Sequence, residues 1–220
     1  MRKELTFHPS LTTRQKAILR SKSPFLFLTG VAGTGKSYTA LARGLKLLVE
    51  EEVEKIVIIR SAVPTRDMGF LPGTQEEKME AFAAPYIGII NDVSPKFGYR
   101  QMLSKKLVEF HPTSYLRGVT FDNAYIVLDE YQNCSEHEME TVVTRVGEGS
   151  HMVVCGDSDQ SDLNANESRG HHRIIRTLTA MPSFETHEFT VDDIVRSAFV
   201  REYFEAKAAS GKPTFLSQVR

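Results

Sequence analysis

The chain has 220 residues, 41% hydrophobic and 25% charged, with a formal net charge of −1. That length suits one large α/β domain with a sizeable core, and the near-zero charge excludes a global pull towards nucleic acid or acidic membranes, leaving only local patches for phosphate backbones. The opening MRKELTFHPSLTTRQ lacks the apolar stretch of a leader, and no segment approaches the roughly 18 consecutive apolar residues of a membrane span. The expectation is a cytoplasmic protein without a membrane. Two cysteines, Cys134 and Cys155, sit in unlike contexts and read as reduced thiols, not as a disulfide framework or a zinc site.

Taken in order, the elements alternate between short apolar runs and amphipathic stretches, the pattern of a mostly parallel α/β sheet with helices on both faces. Residues 1–23 hold a short predicted helix near 13–21, capped by Thr12 or Thr13. Strands are predicted at 25–30, 55–60, 125–130, 151–157 and 186–190. The first four are continuous apolar runs, as expected of strands covered on both faces. Helices are predicted at 36–50, 135–147, 168–180 and 192–209. Residues 61–117 are too long for a loop and read as a helical insertion, broken by Pro64, Pro72, Pro85 and Pro95, with helical pieces at 75–91 and 100–109. Residues 210–220 read as a tail, so that 1–220 is expected to be a single domain.

The segment Gly30-Val31-Ala32-Gly33-Thr34-Gly35-Lys36-Ser37 matches G-x-x-x-x-G-K-[ST] between a predicted strand and a predicted helix, as a phosphate-binding loop requires. Glycines let successive N–H groups converge on phosphate oxygens, and the helix N-terminus adds positive partial charge. Lys36 is expected on the β- and γ-phosphates and Ser37 on a magnesium ion, with Tyr38 opening the helix beside the nucleotide. A second anchor is the apolar strand that ends in Asp129-Glu130. Asp129 fits the acidic residue that holds magnesium, and Glu130 fits a base that polarises attacking water. A third strand ends in Cys155-Gly156-Asp157-Ser158-Asp159-Gln160, at the carboxyl end of the sheet where ligands bind in open α/β folds. There Gln160 is placed to sense the γ-phosphate. No [NT]-K-x-D element for guanine is present, which favours ATP.

FLTGVAGTGKSYTALA (27–42), IRSAV (59–63), GFLPGTQEEKM (69–79), YLRGVTFDNAYIVLDEYQN (115–133), TRVGEGSHMVVCGDSDQSDL (144–163) and DIVRS (193–197) together resemble the PhoH family, P-loop ATPases close to superfamily 1 helicases. The likeness runs over roughly residues 10–205 in the same order. It implies a RecA-like core. By that likeness Gln15 resembles the glutamine that reads adenine ahead of the P-loop. Gly156, Asp157 and Gln160 fall on a helicase-like G-D-x-x-Q motif, and Arg196 resembles an arginine finger acting on a neighbouring subunit's nucleotide. It also implies a homo-oligomer, a hexameric ring by preference. The chain departs from the pattern at Tyr131, where a small residue is usual, at Ser61, where proline is common, and at Ser168-Arg169-Gly170.

Arg60, Arg66, Arg117, Arg145, Arg173, Arg196 and Arg201 are all candidate phosphate sensors, with Arg196 foremost. Lys96, Arg100, Lys105 and Lys106, interleaved with Phe97, Tyr99 and Tyr115, read either as an RNA or DNA surface or as a solvated amphipathic helix. His111 and His171-His172 lack carboxylate or thiol partners at ligand spacing and read as packing residues. The function expected is ATP hydrolysis coupled to binding or remodelling RNA or DNA. A ring helicase or translocase and a nucleotide-gated regulatory module with slow hydrolysis stand as alternatives. A small-molecule kinase is disfavoured, since no acceptor site or arginine-rich lid is evident.

Overall fold

The structure, a computed structural model, describes residues 5–61, 75–116, 118–157 and 165–209. Six strands in these residues, β1 (Phe25–Gly30), β2 (Lys55–Arg60), β3 (Val108–Pro112), β4 (Ala124–Asp129), β5 (His151–Cys155) and β6 (Phe184–Phe189), form one sheet in the order β3-β2-β4-β5-β1-β6. Every pairing is parallel. The crossovers carry α1 (Thr13–Arg20), α2 (Lys36–Val49), α3 (Gln75–Val93), α4 (Tyr99–Ser104), α5 (Glu136–Val143), α6 (Ala165–Ala180) and α7 (Ala198–Ala209).

The continuous apolar runs are explained by two cores, one on each face of the sheet. Alternate residues point oppositely along a strand. Leu26 and Leu28 of β1, Ile56 and Ile58 of β2 and Val153 of β5 therefore join the core under α1–α4. Phe27, Val57, Ile59 and Val154, from the same strands, join the core under α5 and α6. Each such fully buried side chain contributes about 1.5–3 kcal/mol. The sheet order β4-β5-β1 holds the carboxyl ends of these three strands side by side.

Several boundaries differ from the sequence reading. The helix expected over 100–109 stops at Ser104, and Val108–Pro112 is an unpredicted edge strand. Only Val108 of that strand is buried, so it shows no apolar run. The helix expected over 135–147 ends at Val143, because the chain then turns into a parallel bridge between Phe121 and Val146. The stretch expected as a helix from 192 splits. Asp193 turns back to accept the Thr190 N–H at 3.0 Å and pairs with Arg14 at 2.8 Å, closing a 3₁₀ turn over Val191–Asp193. Local side-chain bonds of that kind compete with helix, and α7 begins only at Ala198. The cap of α1 is Thr12, in a reciprocal box with Gln15.

Candidate nucleotide site

At the end of β1 the backbone of Gly30 turns with φ +118° against β6, so close that an added Cβ would lie 2.0 Å from the Phe189 carbonyl oxygen. Only glycine fits, and the Val31 N–H then donates to that same carbonyl at 3.1 Å. Gly35, in the left-handed region, precedes the first turn of α2 without a side-chain cap. The exposed N–H groups of that turn are the fixed donors of an anion site. Thr34 closes the loop through its hydroxyl, which donates to the Val31 carbonyl at 2.8 Å.

Lys36 folds back across this loop, and its Nζ donates to the carbonyls of Gly30 at 2.7 Å and Val31 at 2.9 Å. Burial holds its pKa below the ordinary lysine value, while the charges of Asp157, Glu130 and Asp129 pull the other way. Asp129, at the tip of β4, accepts from three side chains. The Ser37 hydroxyl (3.0 Å) and the Cys155 thiol (3.1 Å) reach Oδ1, and the Tyr86 hydroxyl (2.9 Å) reaches Oδ2. Burial, reinforced by Asp129, raises the pKa of both Tyr86 and Cys155, so each keeps its proton and acts as donor.

The next residue, Glu130, leaves the strand with φ 55° and ψ 43°. A non-glycine residue in that region carries strain on the order of 1–3 kcal/mol, which persists only where surroundings over-determine it. Gln132 supplies the constraint. Its Nε2 donates to the Glu130 carboxylate, and its Oε1 accepts the Asp157 N–H at 3.0 Å. Glu130 is thereby tied to the end of β5.

These groups line one cleft of about 790 Å³. Ala32, Gly33, Gly35, Lys36 and Ser37 line it, together with Asp129, Glu130, Gln15 and Tyr38. Gly30, Val31 and Thr34 complete the loop without lining the cleft. Gln15 is buried, with Nε2 donating to the Thr34 carbonyl at 2.9 Å and Oε1 accepting the Thr12 N–H at 2.9 Å. Its amide thus links the P-loop to the cap of α1. The Tyr38 hydroxyl accepts the His8 N–H at 2.9 Å.

Arg196, expected to act on a neighbouring subunit's nucleotide, lies beside the P-loop of its own chain. Val195 N–H donates to the Gly33 carbonyl at 3.2 Å, and a Cβ on Gly33 would lie 3.0 Å from Arg196 Cγ. The connection after β6 thus lays Arg196 on the chain's own P-loop. Gln160, Arg66 and Arg117 lie outside the described residues. Arg145 bonds the Val119 carbonyl at 3.3 Å, Arg173 pairs with Glu136, and Arg201 donates to the Ile194 carbonyl at 2.9 Å. None of these three lines the cleft.

Of the other lining residues, Arg60 is one of the candidate phosphate sensors and Tyr86 carries no signal of its own in the sequence. Arg60 ends β2 in register with Asp129 and faces the cleft. Tyr86 reaches it from α3. An aromatic one residue after Pro85 in an apolar helix carries the same signal as any core residue, so only the fold identifies it.

Other candidates resolve as packing. His171 is buried, its Nδ1 lies 3.1 Å from the Cys134 carbonyl, and its ring stacks on Tyr131. The unusual Tyr131 fills the core and shares a 2.7 Å hydrogen bond with Thr29. His111 lies 3.0 Å from Glu109. Among the described residues no group of three or more His, Cys, Asp or Glu side chains is placed to hold a metal. In the basic segment Lys96, Arg100, Lys105 and Lys106 are exposed, but Phe97 and Tyr99 turn partly into the core, leaving Tyr115 as its exposed ring. No helix among the described residues is long and apolar enough to cross a membrane.

A parallel sheet with a phosphate loop after β1 and an acidic residue ending β4 defines a RecA-like P-loop NTPase fold. The large terminase ATPase domain of a Thermus phage superposes with a TM-score of 0.53 and 16% identity, over 95% of this chain and 91% of that one. The large terminase of a thermophilic bacteriophage gives the same TM-score at 12% identity, over 89% of this chain and 50% of the other.

Within that class the chain belongs to the PhoH family, whose model, described as "PhoH-like protein", matches residues 9–207. A PhoH-like protein of Mycobacterium bovis is 35% identical over 189 residues, covering 86% of this chain and 54% of the relative. A PhoH-like protein of Bacillus subtilis is 31% identical over 194 residues, covering 88% and 61%. The protein PhoH of Escherichia coli is 33% identical over 196 residues, covering 82% and 52%. The chain thus spans a little over half the length of these curated relatives.

Proposed function

We propose that the chain binds ATP in this cleft and hydrolyses its γ-phosphate. The observation that carries the reading is the 3.0 Å contact between the Ser37 hydroxyl and Asp129, at the first turn of α2 and the mouth of the phosphate loop. Two hard oxygen donors at that spacing suit magnesium, which takes few protein ligands and completes its shell with water and phosphate oxygens. Magnesium there would neutralise charge on the β- and γ-phosphates.

The chain's own groups supply the rest. The N–H groups of the loop and of the first turn of α2 bind the β-phosphate. Lys36 exchanges its two carbonyl acceptors for β- and γ-oxygens. Glu130, fixed by Gln132, takes the role of orienting water in line with the γ-phosphate. Arg60 and Arg196 flank the place where charge develops, so an arginine is available in cis. Gln15 and Tyr38 form the side on which a base would lie. Gln160 keeps its proposed place as γ-phosphate sensor.

Coupling to a partner is the finer part of the proposal. Val195, Phe199 and Tyr203, 48%, 75% and 57% exposed, follow one another at four-residue spacing beside Arg196. This apolar stripe, of which Val195 lines the cleft, supports a second copy seating there, in a ring that turns over ATP on RNA or DNA. The same stripe gives weight to the second reading, a module whose assembly is gated by nucleotide.

Lys36→Ala is expected to lower ATP turnover by about 10²–10³-fold, the scale of removing one preorganised donor. Normal turnover by that variant would sink the assignment. Titrating the wild type with single-stranded RNA and DNA at two salt concentrations tests the coupling, since phosphate contacts weaken steeply with salt. Turnover unmoved by either strand, with assembly that differs between ADP and ATP, would select the gated module.

A further inference from the structure

Gln132 sits in the 3₁₀ turn Tyr131–Asn133 that follows β4 and is 3% exposed. It does not line the cleft, yet it touches two residues that do. Its Nε2 donates to the Glu130 carboxylate, and its Oε1 accepts the Asp157 N–H at 3.0 Å, just past the end of β5. The chemistry of these neighbours decides which way the amide points. An ionised carboxylate only accepts, and a backbone N–H only donates. The reversed amide would set its oxygen against the carboxylate and its NH2 against an N–H, and both bonds would be lost. Glutamine offers the acceptor and the donor together, in one planar group.

Gly156 makes room for that amide. A Cβ there would lie 2.2 Å from Gln132 Oε1, 2.8 Å from Tyr131 Cδ1 and 3.0 Å from the Tyr131 nitrogen. The turn after β4 is thus enough to require glycine ahead of Asp157. Gly156 is itself anchored, since its N–H donates to the Leu28 carbonyl of β1 at 3.1 Å. Contacts therefore run from β1 through the end of β5 to the Gln132 amide and on to Glu130. The Asn133 N–H donates to the Glu130 carbonyl at 3.0 Å and holds the left-handed backbone there. The Gln132 amide holds the carboxylate.

We propose that Gln132 is a positioning residue for hydrolysis, which fixes the Glu130 carboxylate relative to the end of β5 while touching neither nucleotide nor metal. The inference rests on the ATP-hydrolysing reading, in which Glu130 orients the attacking water. A misplacement of about 1 Å can cost on the order of 10²-fold in rate, so an amide that stops the carboxylate from swinging acts on kcat. Nucleotide affinity is set elsewhere. The hydrogen bonds of Lys36 and Ser37 go to Gly30, Val31 and Asp129, not to Gln132.

The test compares wild type, Glu130→Gln and Gln132→Met, the last close in length but without either hydrogen bond. It reads kcat and KM for ATP and the binding of a fluorescent ATP analogue. Gln132→Met is expected to lower kcat by roughly tenfold to hundredfold, with KM and analogue affinity within about threefold of wild type. Added to Glu130→Gln, the same substitution should lower the residual rate by less than about twofold, since residues that act as a unit are not additive. An amide that merely joins the two strands predicts otherwise: affinity falls with rate, and the loss repeats in full in the Glu130→Gln background. Either result overturns the proposal. Gln132→Asn, one methylene short of bridging both groups, should show the same split with a smaller loss, and it decides the matter should Gln132→Met fail to fold. Wild-type protein that binds the analogue but releases no phosphate would overturn the hydrolysing reading and this inference with it. Wild-type turnover matched by an unchanged kcat in Gln132→Met would overturn the inference alone.

Discussion

The two ends of the sheet handle buried polarity in opposite ways. At the carboxyl end Lys36, Ser37, Gln15 and Tyr86 all donate to acceptors within the chain. At the amino end Arg43, Tyr125 and His151 leave four polar atoms bare. The closed end can stand empty without penalty, but any ligand there must displace existing bonds. Its affinity is therefore a difference between two satisfied states. At the amino end the Tyr125 ring and the carbonyls of Ser21 and Ser23 enclose Arg43, so burial and not exchange with a ligand sets the energetics. A site that cycles through substrate and product suits the first arrangement.

The sharpest way to separate binding from chemistry at the closed end is Glu130→Gln. The substitution keeps the size of the side chain and its contact with Gln132, and leaves Ser37, Asp129 and Lys36 untouched. If Glu130 acts as base, turnover should fall about 10²–10⁴-fold while nucleotide affinity stays within a fewfold of wild type. Equal losses in affinity and rate would show instead that Glu130 shapes the cleft.

The sequence made one end far more legible than the other. A phosphate loop works through backbone N–H groups, which need glycines at fixed spacing, so Gly30 to Ser37 announce themselves. Asp129-Glu130 stands out because two carboxylates close an otherwise apolar run. Four strands were readable for the same reason: coverage on both faces forces continuous apolar residues. Strand β3 was not, since an edge strand with one buried residue needs no such run. Arg43 was invisible because an arginine inside an amphipathic helix reads as solvated, and nothing local says that the Tyr125 ring and the carbonyls of Ser21 and Ser23 will enclose it. The cis placement of Arg196 depends on how the segment after β6 crosses the P-loop, a tertiary fact that the DIVRS motif does not encode.

Tyr86→Phe would make the closed end resemble the amino end in a single bond. Asp129 Oδ2 would lose its 2.9 Å donor while Oδ1 kept Ser37 and Cys155. A hydrogen bond to a charged group is worth about 1.5–3 kcal/mol; at the lower figure a chain of this length should lose roughly 3–6 °C in Tm. Turnover at saturating magnesium should change less than tenfold, with a larger effect on the magnesium concentration needed for half-maximal rate. An unchanged Tm together with an unchanged magnesium requirement would remove Tyr86 from the site.

The smallest effect asks whether burial of a cation at the amino end is enough to leave it unbalanced. Lys55, at the start of β2, is the control, because it finds a carboxylate where Arg43 does not. Its Nζ lies 2.9 Å from Glu109 on the neighbouring β3, with about 30% and 27% of the two side chains exposed. Burial works to raise the Glu109 pKa, but hydrogen bonds from Lys55 and His111 outweigh it and leave the group below its ordinary 4.5. A depressed carboxylate contributes stability that is complete above its unfolded pKa and is lost as the pH falls through the folded value. Lys55→Met should therefore cost about 0.5–1 kcal/mol near pH 7, as for a partly exposed pair. The gap between variant and wild type should narrow as the pH drops below about 4.5 and close once Glu109 is protonated. Denaturant melts at pH 7 and pH 3 measure both. A gap that persists undiminished at pH 3 would assign the contribution of Lys55 to its 5.6 Å approach to the Phe121 ring and not to Glu109.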